Sequence, residues 1–99
     1  MKPEAKLKTA IMAYLKTLEP DAFAFRVEPR PGMGRGMADI ICCFHGRFLA
    51  LEVKIPGNNP TPLQKRFMDK ITLAHGISAV VYNVAEVKGL VELLQIGQK

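Results

Sequence analysis

Three charged residues stand at the ends of two otherwise apolar runs. Asp39 lies near the start of ADIICCF, and Glu52 and Lys54 close RFLALEVK. Buried strands normally keep charge out, so these side chains must have partners or work to do. His45-Gly46 between the runs suits a two-residue hairpin turn, with Gly in its second place. With those two residues as the loop, Phe44 faces Arg47, and counting outward sets Asp39 across from Glu52. Cross-strand partners share a face, their Cβ atoms roughly 4.5–5.5 Å apart. Lys54, two residues beyond Glu52, shares that face. A slip of one residue would break the arrangement, and an apolar pattern on both faces does not by itself exclude the slip.

Two carboxylates about 5 Å apart repel by roughly 3 kcal/mol at an effective dielectric near 20. Lys54 offsets part of this. A divalent cation turns the repulsion into binding, and Mg²⁺ or Mn²⁺ prefers carboxylates and retained waters. The plainer alternative is an Asp–Lys or Glu–Lys ion pair of small net worth, which has no need of a second acid opposite. A metal beside a lysine in a basic domain points to phosphodiester hydrolysis. The metal would activate a water and shield the phosphate. The lysine would orient the nucleophile, accept its proton or stabilise the equatorial oxygens.

The elements that must position these residues are readable from periodicity. Residues 3–18 carry Leu7, Ile11, Tyr14, Leu15 and Leu18 at helical spacing, opened by Pro3 and ended before Pro20. Strands are predicted over 23–28, 38–44 and 47–54, a helix over 62–75 closed by Gly76, a strand over 77–84 and a helix over 85–95. PRPGMGRGM at 29–37 holds two prolines, three glycines and two arginines, which exclude regular structure. The order predicts an α/β fold: an antiparallel meander, then a crossover to a parallel fourth strand. The sheet is mixed and four-stranded, with helices on both faces that account for the doubly apolar hairpin.

At 99 residues the chain fits one domain, 1–99. Its formal charge of +5 fits a polyanionic partner such as nucleic acid. No apolar run is long enough to span a membrane, and the charged N-terminus is not a signal peptide. Cys42 and Cys43 are adjacent and point to opposite strand faces, so they neither pair with each other nor form a zinc set. A reducing cytoplasmic location follows as the simplest expectation, in a bacterium or a phage-infected cell.

Asp39, a spacer of twelve residues and Glu52-Val53-Lys54 resemble the PD-(D/E)XK nuclease signature. Gly36-Met37-Ala38-Asp39, Leu51-Glu52-Val53-Lys54 and Thr61-Pro62-Leu63-Gln64 together resemble its VRR-NUC branch, the virus-type replication-repair nucleases. The likeness runs from Glu4 through the 77–84 strand, and Ala38 stands where the superfamily's name has Pro. It implies a restriction-endonuclease-like αβββαβα core and a Mg²⁺- or Mn²⁺-dependent deoxyribonuclease. Asp39 and Glu52 match the metal-binding acids, the Val53 main-chain carbonyl a further ligand, and Lys54 the catalytic lysine. Gln64 matches a site glutamine and Glu4 a first-helix acid. Both have a second reading: Thr61-Pro62-Leu63-Gln64 is also a capping box, and an acid is favoured at any helix start.

Arg30, Arg35, Lys65 and Arg66 flank the expected site and are candidates for phosphate contacts, with solvated surface as the alternative. No aromatic platform for single strands is visible in the sequence, and Trp is absent. Small stand-alone VRR-NUC proteins resemble archaeal Holliday junction resolvases, which implies a homodimer on branched or four-way DNA. The 77–84 segment and last helix are the expected interface. A nicking or flap-type nuclease, and a non-catalytic nucleic-acid-binding module of the same fold, are the competing classes.

Overall fold

A computed structural model of the chain describes residues 2–28 and 36–96. Its elements are α1 (Pro3–Lys16), β1 (Ala22–Arg26), β2 (Ile40–Phe44), β3 (Arg47–Val53), α2 (Pro62–Leu73), β4 (Ile77–Val81) and α3 (Val84–Ile96). The strands form one sheet in the order β1-β2-β3-β4. The first two pairings are antiparallel and the last is parallel. The fold is therefore the predicted α/β type with a mixed sheet.

The hairpin register is the expected one. Phe44 pairs with Arg47 and Ile40 with Leu51. His45 and Gly46 both take left-handed backbone, φ 49° and 78°, as a two-residue turn with the twist of its strands requires. Alternation then sorts the side chains. Ile40, Cys42, Phe44, Leu49, Leu51 and Val53 enter a core closed by Ile11 and Leu15 of α1 and Val87, Val91 and Leu94 of α3. Cys42 is buried and Cys43 exposed, and both are free thiols.

The second face differs from expectation. α2 lies along β3 and β4, where Ser78 Oγ donates to Met68 O at 3.2 Å and meets Thr72 Oγ1. No residue of α2 is buried, although Leu63, Phe67, Met68 and Ile71 form its apolar stripe. The helix covers only part of the sheet. Phe23 is 64% exposed, and Phe25 and Phe48 are also open, giving the apolar surface that the sequence did not reveal. A groove lined by Phe25, Met37, Ile41, Phe48, Phe67 and Ile71 runs between the uncovered strands and α2.

Two boundaries also shift. β4 ends at Val81, earlier than the predicted 84, because the chain turns into a capped helix. Asn83 Oδ1 accepts from Glu86 N–H at 2.8 Å, and Glu86 Oε1 accepts from Tyr82 N–H at 2.7 Å. At the end of α2 the left-handed residue is His75, φ 70°, one position before the predicted stop at Gly76. Among the described residues no helix is long and apolar enough to cross a membrane.

Candidate active site

Asp39 sits one residue before β2, yet the sheet holds its main chain. Its N–H donates to Leu51 O at 3.0 Å, and its carbonyl accepts from Val27 N–H at 2.9 Å. The backbone is thus tied to the residue following β1 and to β3 at once, which fixes where the side chain starts. Oδ2 accepts from Val53 N–H at 2.8 Å. Oδ1 lies 3.2 Å from Lys8 Nζ of α1.

Glu52 belongs to β3 and is 1% exposed, the one buried charged residue among those described. Its Oε1 accepts from Gln64 Nε2 at 2.8 Å and lies 3.6 Å from Lys54 Nζ. Its Oε2 is buried without a hydrogen-bond partner. Desolvation, then the nearby charge of Asp39, push the Glu52 carboxyl up to about 8, and Lys54 pulls the other way. The two acids therefore meet on one face, as the register requires. Leaving a buried carboxylate oxygen unsatisfied is costly. A proton shared with Asp39 satisfies it, and so does a cation lying between the carboxylates. The donor set of two carboxylates suits Mg²⁺ or Mn²⁺, so the residues present fit such an ion.

Gln64 reaches this point from α2 because Thr61 starts that helix. Thr61 N–H donates to Gln64 Oε1 at 2.8 Å and Gln64 N–H to Thr61 Oγ1 at 3.2 Å, a complete capping box with Pro62 in the first turn. The amide's remaining donor is the one aimed at Glu52. Gly36 abuts the same turn: a Cβ built on it would lie 2.6 Å from the main-chain carbon of Leu63. Lys54 is held by its own N–H, which donates to Val81 O at 3.0 Å.

No family model matches this chain, and no curated protein does. Solved structures do. One, described as a VRR_NUC domain, superposes with a TM-score of 0.77 at 19% identity over 93% of this chain and 97% of that one. A second, a VRR_NUC domain protein, gives 0.69 at 20% identity over 93% and 84%. The chain has the VRR_NUC domain fold.

Within this VRR_NUC fold, Asp39, Glu52, Val53, Lys54 and Gln64 come together. Val53 joins them through its N–H, which donates to Asp39 Oδ2. Glu4 stays apart. It lies in the first turn of α1, and among the described residues no third His, Cys, Asp or Glu joins Asp39 and Glu52. Lys65 and Arg66 are exposed on the first turns of α2, beside Gln64. Arg30 and Arg35 lie outside the described residues. The sequence reading missed Lys8. It occupies the same helical stripe as Glu4, Ile11 and Leu15, and that spacing was the available signal.

Proposed function

We propose that this chain is a Mg²⁺- or Mn²⁺-dependent DNA endonuclease hydrolysing phosphodiester bonds, selective for branched or four-way junction DNA and active as a homodimer. The observation that carries the reading is the buried, unpartnered Oε2 of Glu52 beside Asp39, with Lys54 and Gln64 on the other oxygen. The fold shared with VRR_NUC domains supports it.

Asp39 and Glu52 would hold the ion, with the Val53 carbonyl as a further ligand by family likeness. When bound, the ion supplies Lewis acidity and charge neutralisation toward the phosphodiester. Lys54 stands beside the acids, where it would orient an attacking water or neutralise an equatorial oxygen as an ammonium, or accept the water's proton as a free amine. Gln64 fixes the direction of the Glu52 carboxylate. Arg30, Arg35, Lys65 and Arg66 bind backbone phosphates and so set affinity and salt dependence, not sequence preference. Leu93 and Ile96, exposed on α3, support the expected dimer surface beside edge strand β4. The free thiols agree with a reducing cytoplasm, bacterial or phage-infected.

The test is cleavage of labelled four-way junctions, flaps and duplexes with Mg²⁺ or Mn²⁺, comparing wild type with Lys54→Ala. Preferred cleavage of flaps or nicked duplexes moves the assignment to the flap-type class. Binding without cleavage under every metal moves it to the non-catalytic module. Cleavage that survives in Lys54→Ala removes the assigned mechanism. Sedimentation giving only monomer at micromolar concentration removes the dimer.

A further inference from the structure

Asp39 and Glu52 each carry one lysine, and the two lysines are not equivalent. Lys54 is 14% exposed, and its position is set by the strand that also carries Glu52. Lys8 is 30% exposed and comes from α1, at 3.2 Å the closer of the two pairs. Ile11 and Leu15, buried in the core, hold α1 on the sheet, so the base of Lys8 cannot drift from the site. Its four-carbon stem leaves the ammonium mobile.

The oxygen it holds matters. Asp39 Oδ2 is engaged by Val53 N–H, which leaves Oδ1 the freer oxygen for any other cation. Lys8 occupies that oxygen. Charge counting points the same way. With both acids ionised around a divalent cation, the two lysines leave the cluster with an excess of two positive charges, more than the metal-free cluster carries. An anionic substrate answers that excess, and a mobile ammonium at the more open side of the pair can follow it.

We propose that Lys8 is a second site lysine: it holds Asp39 Oδ1 while the acid pair is metal-free, and it moves to a substrate phosphate oxygen when Asp39 serves as a metal ligand. The proposal rests on the nuclease reading for the identity of the substrate. It predicts opposite signs for two bindings. Removing Lys8 removes a competitor for Asp39 and so tightens metal binding, while it deletes one phosphate contact and so weakens DNA binding. A purely structural ion pair predicts otherwise, since its loss would free the Asp39 side chain and weaken the metal.

The experiment uses the full chain as wild type, Lys8→Met and, as control, Lys6→Met, an exposed neighbour on α1. Calorimetric titration with Mn²⁺ alone is expected to show Lys8→Met binding about 1.5-fold to fivefold tighter than wild type, the range of a partly exposed ion pair. Duplex binding is then followed by anisotropy across a KCl series, with Ca²⁺ as the divalent ion. The slope of log K against log salt is expected to fall by about 0.9 in Lys8→Met, one phosphate contact. Lys6→Met should leave the Mn²⁺ affinity unchanged. Mn²⁺ binding that is equal or weaker in Lys8→Met, or an unchanged salt slope, overturns the proposal and leaves the nuclease reading standing. A wild-type chain that takes up no Mn²⁺ overturns both.

Discussion

Gln64 uses both ends of one amide: its Oε1 accepts from Thr61 N–H and its Nε2 donates to Glu52 Oε1, each at 2.8 Å. The backbone N–H can only donate and the carboxylate oxygen accepts, so the amide's orientation is fixed by its partners. Capping and site roles, which the sequence left as alternatives, are thus joined in one side chain. Substitution separates them. Thr61→Ala removes one cap bond and should cost about 1 kcal/mol of stability while cleavage stays within about twofold of wild type. Gln64→Ala should cost a similar amount but lower cleavage at least about tenfold, because Glu52 Oε1 also loses its donor. Denaturation curves beside cleavage rates decide it, and equal activity losses would reduce Gln64 to a cap.

The Glu52 carboxyl gives stability a definite dependence on pH. Its native value, about 8, lies above the ordinary 4.5. Below about 4.5 it is protonated in both native and unfolded chains. Between the two values the unfolded chain has lost the proton and the native chain keeps it, so unfolding releases protons and stability falls as pH rises. The slope is at most about 1.4 kcal/mol per pH unit for one proton, and the loss is complete once pH passes the native value. Urea titrations of the metal-free chain should show this decline between pH 5 and 8 (about the window set by the two values), and Glu52→Gln should lack it. Saturating Mg²⁺ should flatten the wild-type curve. A flat metal-free curve would mean that Glu52 is ionised without an ion to hold it.

Legibility followed locality. The His45-Gly46 turn fixed the hairpin register, because two residues at positive φ leave the strands one twist-compatible pairing, and Asp39 and Glu52 follow from it by counting. Alternation shows which residues share a face, but not whether a helix reaches over them. Alternation along the 23–28 strand puts Phe23 and Phe25 on one face, but it carries no information about their exposure. VVYNV reads as a continuing strand until Asn83 and Glu86 are seen to cap the next helix. Lys8 gives no local sign of its partner, which is 31 residues away in sequence and beside it only in the fold.

Lys54 is expected to act on both chemistry and its neighbour. Lys54→Met should lower cleavage by about 10²- to 10⁴-fold, the usual worth of a positioned proton-transfer group. Lys54 also lowers the Glu52 pKa, so its removal raises that value further. The variant should then need a higher pH than wild type to bind Mn²⁺, because Glu52 must first ionise. Titrations with Mn²⁺ across a pH series test this apart from catalysis, and an unshifted binding midpoint would show that the Lys54–Glu52 contact carries little charge coupling.

Gly36 links the glycine-rich segment to the helix that supplies Gln64. Its φ is +85°, and a Cβ there would meet three atoms of Leu63 within 2.8 Å, two of them main chain. A backbone cannot yield as a flexible side-chain tip does, so Gly36→Ala must displace the first turn of α2. Left-handed backbone costs Ala roughly 1–2 kcal/mol, and forced repacking adds roughly 1–3. Gly57 is the matched control: its φ is +93°, with nothing within 4 Å of an added Cβ. Gly57→Ala should therefore show the strain alone. Urea denaturation should place Gly36→Ala below Gly57→Ala by about 1–3 kcal/mol. Cleavage should fall only in Gly36→Ala, because only there does the helix start, and with it the Gln64–Glu52 bond, have to move. Equal stability losses in the two variants would show that the Gly36–Leu63 contact relaxes without disturbing the site.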